Sequence, residues 1–155
     1  MDKKNESIIR VLGRKAGLSS RTFSKMLGIP ISTVHRRVKQ LERDGIIMGY
    51  KALIDFDKTK WPIGALLLIN LAETIPGTKR IPKRDVLHTL KGYNAVEEII
   101  EVQAAYFDLV VKARFQSLKK LSAFIEELRY IEGIEETSSA IITDETVIPP
   151  PQFLD

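Results

Sequence analysis

Apolar side chains recur at helical spacing three times in the first 45 positions of this 155-residue chain. Ile8, Ile9 and Leu12 share one face of a helix predicted over 5–15. Phe23, Met26 and Leu27 form the stripe of a second helix. Ser19 is placed to cap it through its hydroxyl, and Gly28 fits the left-handed residue that ends a short helix. In a third helix Val34, Val38 and Leu41 stack on one side at about 100° per residue, and Asp44-Gly45 stops it. Two short helices joined by a tight glycine-containing turn make a helix-turn-helix. The alternation in 46–56 (IIMGYKALIDF) then predicts the strands of a wing.

The second half changes period. Lys58 to Trp61 followed by Pro62 reads as a hinge, and 63–73 (IGALLLINLAE) as a strand. A long loop with Pro76, Gly77 and Pro82 leads into a short helix, 85–91, ended by Gly92. Strands are predicted over 95–102 and 107–115, with a tight connection at Gln103 to Tyr106. Ser117 then caps a helix whose Leu118, Leu121, Phe124, Ile125 and Leu128 follow helical spacing. An alternating strand over 135–147 closes the sheet, and PPPQFLD is a flexible tail. The order β-α-β-β-α-β is ferredoxin-like, a topology that hosts many functions. The predicted class is therefore α+β: a winged helix-turn-helix over 1–57 and a ferredoxin-like domain over 58–155.

Charge divides along the same line. The net +4 conceals a first 60 residues with fourteen lysines and arginines against six acids, and a remainder with ten against fourteen. A basic half joined to an acidic one suits one domain facing a polyanion and another with a different task. The absence of cysteine excludes disulfides and thiolate metal sites. His35 and His88 do not make a histidine metal site by spacing, so neither a metal nor a cofactor is expected. The N-terminus lacks the apolar run of a signal peptide, and the apolar stretch 63–69 is far short of a membrane span. These readings predict a cytoplasmic protein with no membrane partner.

Chemistry concentrates on the third helix. Ser32, Arg36, Lys39 and Arg43 cluster opposite its apolar stripe, with Thr33, His35 and Gln40 beside them. Arg36 suits guanine O6 and N7, and the smaller polar side chains suit base edges or phosphates. Arg21, Lys25 and Lys51 are candidates for phosphate contacts. A single amphipathic helix with a solvated polar face would look the same. Helix, helix, basic helix and wing in sequence favour double-stranded DNA as the partner.

The same residues resemble the AsnC/Lrp ("feast/famine") regulators. That family reads S-x-x-x-L-A-x-x-x-G-L and then T-V-x-x-R-V-x-x-L-E-x-x-G-V-I-x-G-Y. Ser19, Phe23, Ser24, Gly28 and Ile29 occupy the first pattern. Thr33, Val34, Arg37, Val38, Leu41, Glu42, Gly45, Ile46, Ile47, Gly49 and Tyr50 match the second. Pro30 stands where the family usually has serine, which predicts a helix starting slightly later with Ser32 as its cap. The resemblance implies a C-terminal domain for self-association, as a dimer and further as a tetramer or octamer. It also implies an amino-acid effector site at the turn between the second and third strands. Here that turn is Gln103, Ala104, Ala105, Tyr106, Phe107 and Asp108. Asp108 keeps the family's residue, whereas Ala105 replaces a glycine that would let the backbone approach a ligand closely. Asp108 has the alternative role of ordering the turn alone.

The expected function is a sequence-specific DNA-binding transcriptional regulator, at least dimeric, modulated by an amino acid or a related small molecule. An architectural DNA binder without an effector is the alternative. A sirohaem decarboxylase-like enzyme shares the two-domain layout. The stretch EIIEVQAAYFDLVVKA contains none of the histidine and arginine of that motif, so no enzyme is expected.

Overall fold

The computed structural model describes residues 1–14, 17–72 and 81–146. Among these, Met1–Ile54 form one compact unit and Asp55–Glu145 a second.

Three helices build the first unit: α1, Lys3–Arg14; α2, Ser20–Leu27; and α3, Ile31–Arg43. The Ser19 hydroxyl accepts the Thr22 amide at 3.2 Å, capping α2 as its position predicted. Ile8, Phe23, Ile29, Val34 and Leu41 form the core. Among the predicted apolar stripes, Ile9, Leu12, Leu27 and Val38 are only half-buried, and Met26 is exposed. The start of α3 also corrects the reading. The helix begins at Ile31 directly after Pro30, and Ser32 lies inside its first turn. Pro30, at φ −53° and ψ 141°, offers its carbonyl to the amides of Thr33 and Val34 at 2.9 and 3.0 Å. Its ring presets the entry into the helix without a side-chain oxygen, which leaves the Ser32 hydroxyl exposed.

The wing strands do not form. The Ile46 and Ile47 amides both bond to the Leu41 carbonyl. From Met48 to Ile54 no backbone amide bonds to a backbone carbonyl among the described residues. Alternation marks a segment able to pair, but a strand exists only beside another, and none lies alongside this one among the described residues.

The second unit opens with a 3-10 helix, Phe56–Lys58, and continues β1 (Ile63–Leu71), α4 (Lys83–Lys91), β2 (Val96–Glu101), β3 (Leu109–Phe115), α5 (Leu118–Arg129) and β4 (Ile134–Ile142). All pairings are antiparallel, in the order β2-β3-β1-β4. This is the ferredoxin-like βαββαβ arrangement, and the α+β class holds. Ala65, Leu67 and Ile69 of β1 and Leu109, Val111, Ala113 and Phe115 of β3 share one face. Val86 and Leu90 of α4 and Leu121, Phe124 and Leu128 of α5 bury it. Tyr93 meets Phe124 edge-to-face, with centroids 4.9 Å apart. Helix α4 starts two residues before its predicted start. Leu118, expected in the core, is the first residue of α5 and is exposed. The predicted loop falls largely in 73–80, and Val147 and the tail in 147–155, all outside the described residues.

The opposite face of the sheet carries Leu66, Leu68, Val110, Ile100, Ala140 and Ile142 together with Lys112 and Arg114. Among the described residues, α4 and α5 both pack on the other side.

Candidate nucleic-acid interface

Helix α3 is held by its apolar side and by one arginine. Val34 and Leu41 are buried, and Arg37 Nη1 donates to Asp2 Oδ2 at 2.5 Å and to Asn5 Oδ1 at 2.7 Å. That clamp ties α3 to the start of α1. The Asn5 amide, and then the Arg37 guanidinium, hold the Asp2 carboxyl below its ordinary range. The turn before α3 is equally fixed. Gly28 takes the left-handed φ of 63°, and Ser24 Oγ donates to the Ile29 carbonyl at 2.5 Å.

With the helix so oriented, Ser32, His35, Arg36, Lys39, Gln40 and Arg43 are exposed and Thr33 is half-buried. Ser32, Arg36, Lys39 and Arg43 lie along one strip, opposite Leu41. Arg21 and Lys25 on α2 are exposed as well. Arg21, Lys25, Arg36 and Arg43 have no ion-pair partner among the described residues, so these guanidinium and ammonium groups are free to meet phosphates or base edges.

Lys39 differs from its neighbours. Its ammonium pairs with Glu42 Oε2 at 2.9 Å, and the Tyr50 hydroxyl donates to Glu42 Oε1 at 2.9 Å. Lys39 first, and Tyr50 second, lower the Glu42 pKa. Burial, with Glu42 adding to it, raises that of Tyr50. The i,i+3 spacing of Lys39 and Glu42 is the local signal of this pair. The clamping role of Arg37 was not legible, because its partners lie 32 and 35 positions away.

The second candidate site is the connection from β2 to β3. Gln103, Ala104, Ala105 and Tyr106 are exposed, with Tyr106 at 85%. Asp108 is half-buried, and its Oδ2 accepts the Leu71 amide at 2.8 Å. Its own amide bonds to the Ile69 carbonyl, and its carbonyl accepts from Val102. Asp108 therefore orders the turn and joins it to the end of β1, the structural alternative weighed from the sequence. Among the described residues no group of three or more histidine, cysteine or carboxylate side chains is placed to hold a metal, and no helix is long and apolar enough to cross a membrane.

Comparison with known proteins agrees with this division. The family model described as winged helix-turn-helix DNA-binding matches residues 1–48, and the Lrp/AsnC ligand binding domain matches residues 78–151. The HTH-type transcriptional regulator FL11 of Pyrococcus furiosus is 29% identical over 142 residues, covering 92% of this chain and 89% of FL11. Its counterpart in Pyrococcus horikoshii is 28% identical, with the same shares covered. Among solved structures, a Neisseria meningitidis transcriptional regulator in complex with L-Met has a TM-score of 0.79 at 20% identity, over 97% of this chain and 94% of that one. AsnC of E. coli has a TM-score of 0.71 at 20% identity, over 96% and 95%. A helix-turn-helix with an open basic strip is followed by a sheet of the Lrp/AsnC type, and the relatives along nine-tenths of the chain are regulators rather than enzymes. The chain belongs to the Lrp/AsnC family: it is a DNA-binding transcriptional regulator with a ligand-binding domain.

Proposed function

We propose that the protein reads a specific DNA sequence as a cytoplasmic homodimer or larger assembly, responding to an amino acid or related small molecule. The observation that carries this reading is the exposed strip of α3, on which Arg36 and Arg43 have no ion-pair partner among the described residues. Ser32, Arg36 and Arg43 face solvent together while Val34 and Leu41 anchor the helix. In a major groove, Arg36 would meet guanine, with Ser32, Thr33, His35 and Gln40 on neighbouring edges and Lys39 and Arg43 on bases or phosphates. Arg21 and Lys25 would contact the backbone, where charge sets affinity but not sequence.

Two features support self-association. The sheet face bearing Leu66, Leu68, Val110 and Ile100 has no covering helix among the described residues. The extended segment around Met48 and Leu53, 95% and 77% exposed, has amides with no backbone acceptor among the described residues. The domains proposed are 1–57 for DNA and 58–155 for pairing and sensing. The effector would lie against Gln103 to Asp108 near an interface between copies. The L-Met complex of the Neisseria regulator supports an amino acid, whereas Ala105 stands where the family has glycine.

The test is selection of duplex sequences by the full-length protein, followed by binding isotherms on selected and random DNA with and without amino acids. A preference of about a thousand-fold or more for selected DNA is expected. Equal affinity for both would leave only an architectural binder.

A further inference from the structure

A cleft of about 480 Å³ lies wholly within the second unit, at the end of the sheet where β1 begins and β3 ends, opposite the Gln103–Asp108 turn. The 3-10 turn builds one wall. Thr59 donates both its amide and its hydroxyl to the Phe56 carbonyl, at 2.9 and 2.8 Å. The Trp61 amide in turn donates to Thr59 Oγ1 at 3.1 Å. This local closure fixes the two aromatic residues on the same cleft as Phe115.

Arg114 forms the floor. Its side chain is 10% exposed, it pairs with Glu97 and Glu145, and its guanidinium carbon sits 4.2 Å from the Phe56 ring centre. Gly64 on the neighbouring strand makes this possible, since a Cβ there would come 2.7 Å from Arg114 Nη1. Arg114, Lys112, Glu97 and Glu145 form one balanced cluster, so the arginine is a neutralised wall.

The cleft's remaining charge is Lys120. It is exposed and has no ion-pair partner among the described residues. It stands in the first turn of α5, which contains no acid. Ser117 Oγ takes the Lys120 amide, while the amides of Leu118 and Lys119 have no protein acceptor among the described residues. Aromatic walls beside one unpaired cation call for an apolar body with a single negative end. The Glu97 carboxylate in the lining disfavours a ligand of higher negative charge.

We propose that this cleft is a second small-molecule site, separate from the β2–β3 turn and contained in one copy of the chain, for an arylalkyl monocarboxylate. The ring packs against Trp61 and Phe56, and the carboxylate meets Lys120.

Trp61 is the only tryptophan in the chain and serves as the reporter. Its emission in the full-length protein is titrated with 3-phenylpropionate, 3-phenylpropionamide and 3-phenylpropylamine, with calorimetry in parallel. The expected result is saturable binding of the carboxylate, weakened about ten-fold or more in the amide, the amine and the Lys120→Gln variant. Binding should be unchanged in Gln103→Ala. Absence of saturable binding by both methods overturns the proposal, including the case in which another copy of the chain fills the cleft. Equal binding of the amide, or dependence on Gln103 with indifference to Lys120, overturns it as well.

Discussion

Arg36 and Arg37 are adjacent on α3, yet their surroundings predict opposite phenotypes. Arg36 is exposed with no protein partner among the described residues, so Arg36→Ala opens no cavity and strands no acceptor. The melting temperature should stay within a degree or so. If Arg36 makes a bidentate base contact, its loss weakens specific DNA binding by about 1–3 kcal/mol per recognition helix, or roughly 5- to 150-fold. Affinity for random DNA should change far less. Arg37→Ala removes the clamp on Asp2 and Asn5 and the packing of a stem that is only 21% exposed. The half-buried bond to Asn5 alone is worth about 1 kcal/mol. Its loss should lower the melting temperature by several degrees, and DNA affinity then falls only through loss of fold. The assay is thermal unfolding of both variants, with isotherms on selected and random duplexes across salt. Removing a phosphate contact reduces the slope of log affinity against log salt by about 0.9, whereas removing a base contact leaves it nearly unchanged. Unchanged base preference in Arg36→Ala, or an unaltered melting temperature in Arg37→Ala, would refute the reasoning.

Two further outcomes test the second unit. Lys112, and after it Arg114, hold the Glu145 carboxyl below its ordinary value of 4.5. A depressed folded-state pKa gives stability that is present above 4.5 and fades as pH falls through the lower folded value. Glu145→Gln should therefore unfold more readily than the parent at pH 7, with the difference shrinking as the pH falls below 4.5; a gap that widens on acidification would contradict the sign. Asp108→Ala leaves the half-buried Leu71 amide without its acceptor. It should cost about 1–3 kcal/mol in urea unfolding with no effector present, and an unchanged midpoint would return Asp108 to a purely ligand-facing role.

Much of this architecture was already written in short-range pattern. The three helices of the first unit follow from Ile8, Phe23, Val34 and Leu41 at helical spacing, with Ser19 and Gly28 as punctuation. Helix α5 follows equally from Ser117 and the Leu121–Phe124–Leu128 stripe. These are local decisions, made within one or two turns, where periodicity and capping dominate. The polar strip of α3 was legible for the same reason, since one helix sets which side chains share a face. Contacts across sequence decided the rest. Segment 46–56 alternates like a strand but has none beside it among the described residues, and pairing requires two segments. Arg37 became a clamp through Asp2 and Asn5, and Asp108 became a turn anchor through Leu71, 37 positions away. Arg114 was neutralised by acids on both sides, across a glycine that leaves it room. The sequence determined which segments are helices, which segments are able to pair as strands, and which helix faces are apolar. Only the tertiary structure decided which charges remain free, because a side chain's partners are set by the three-dimensional neighbours that the fold brings within about 4 Å.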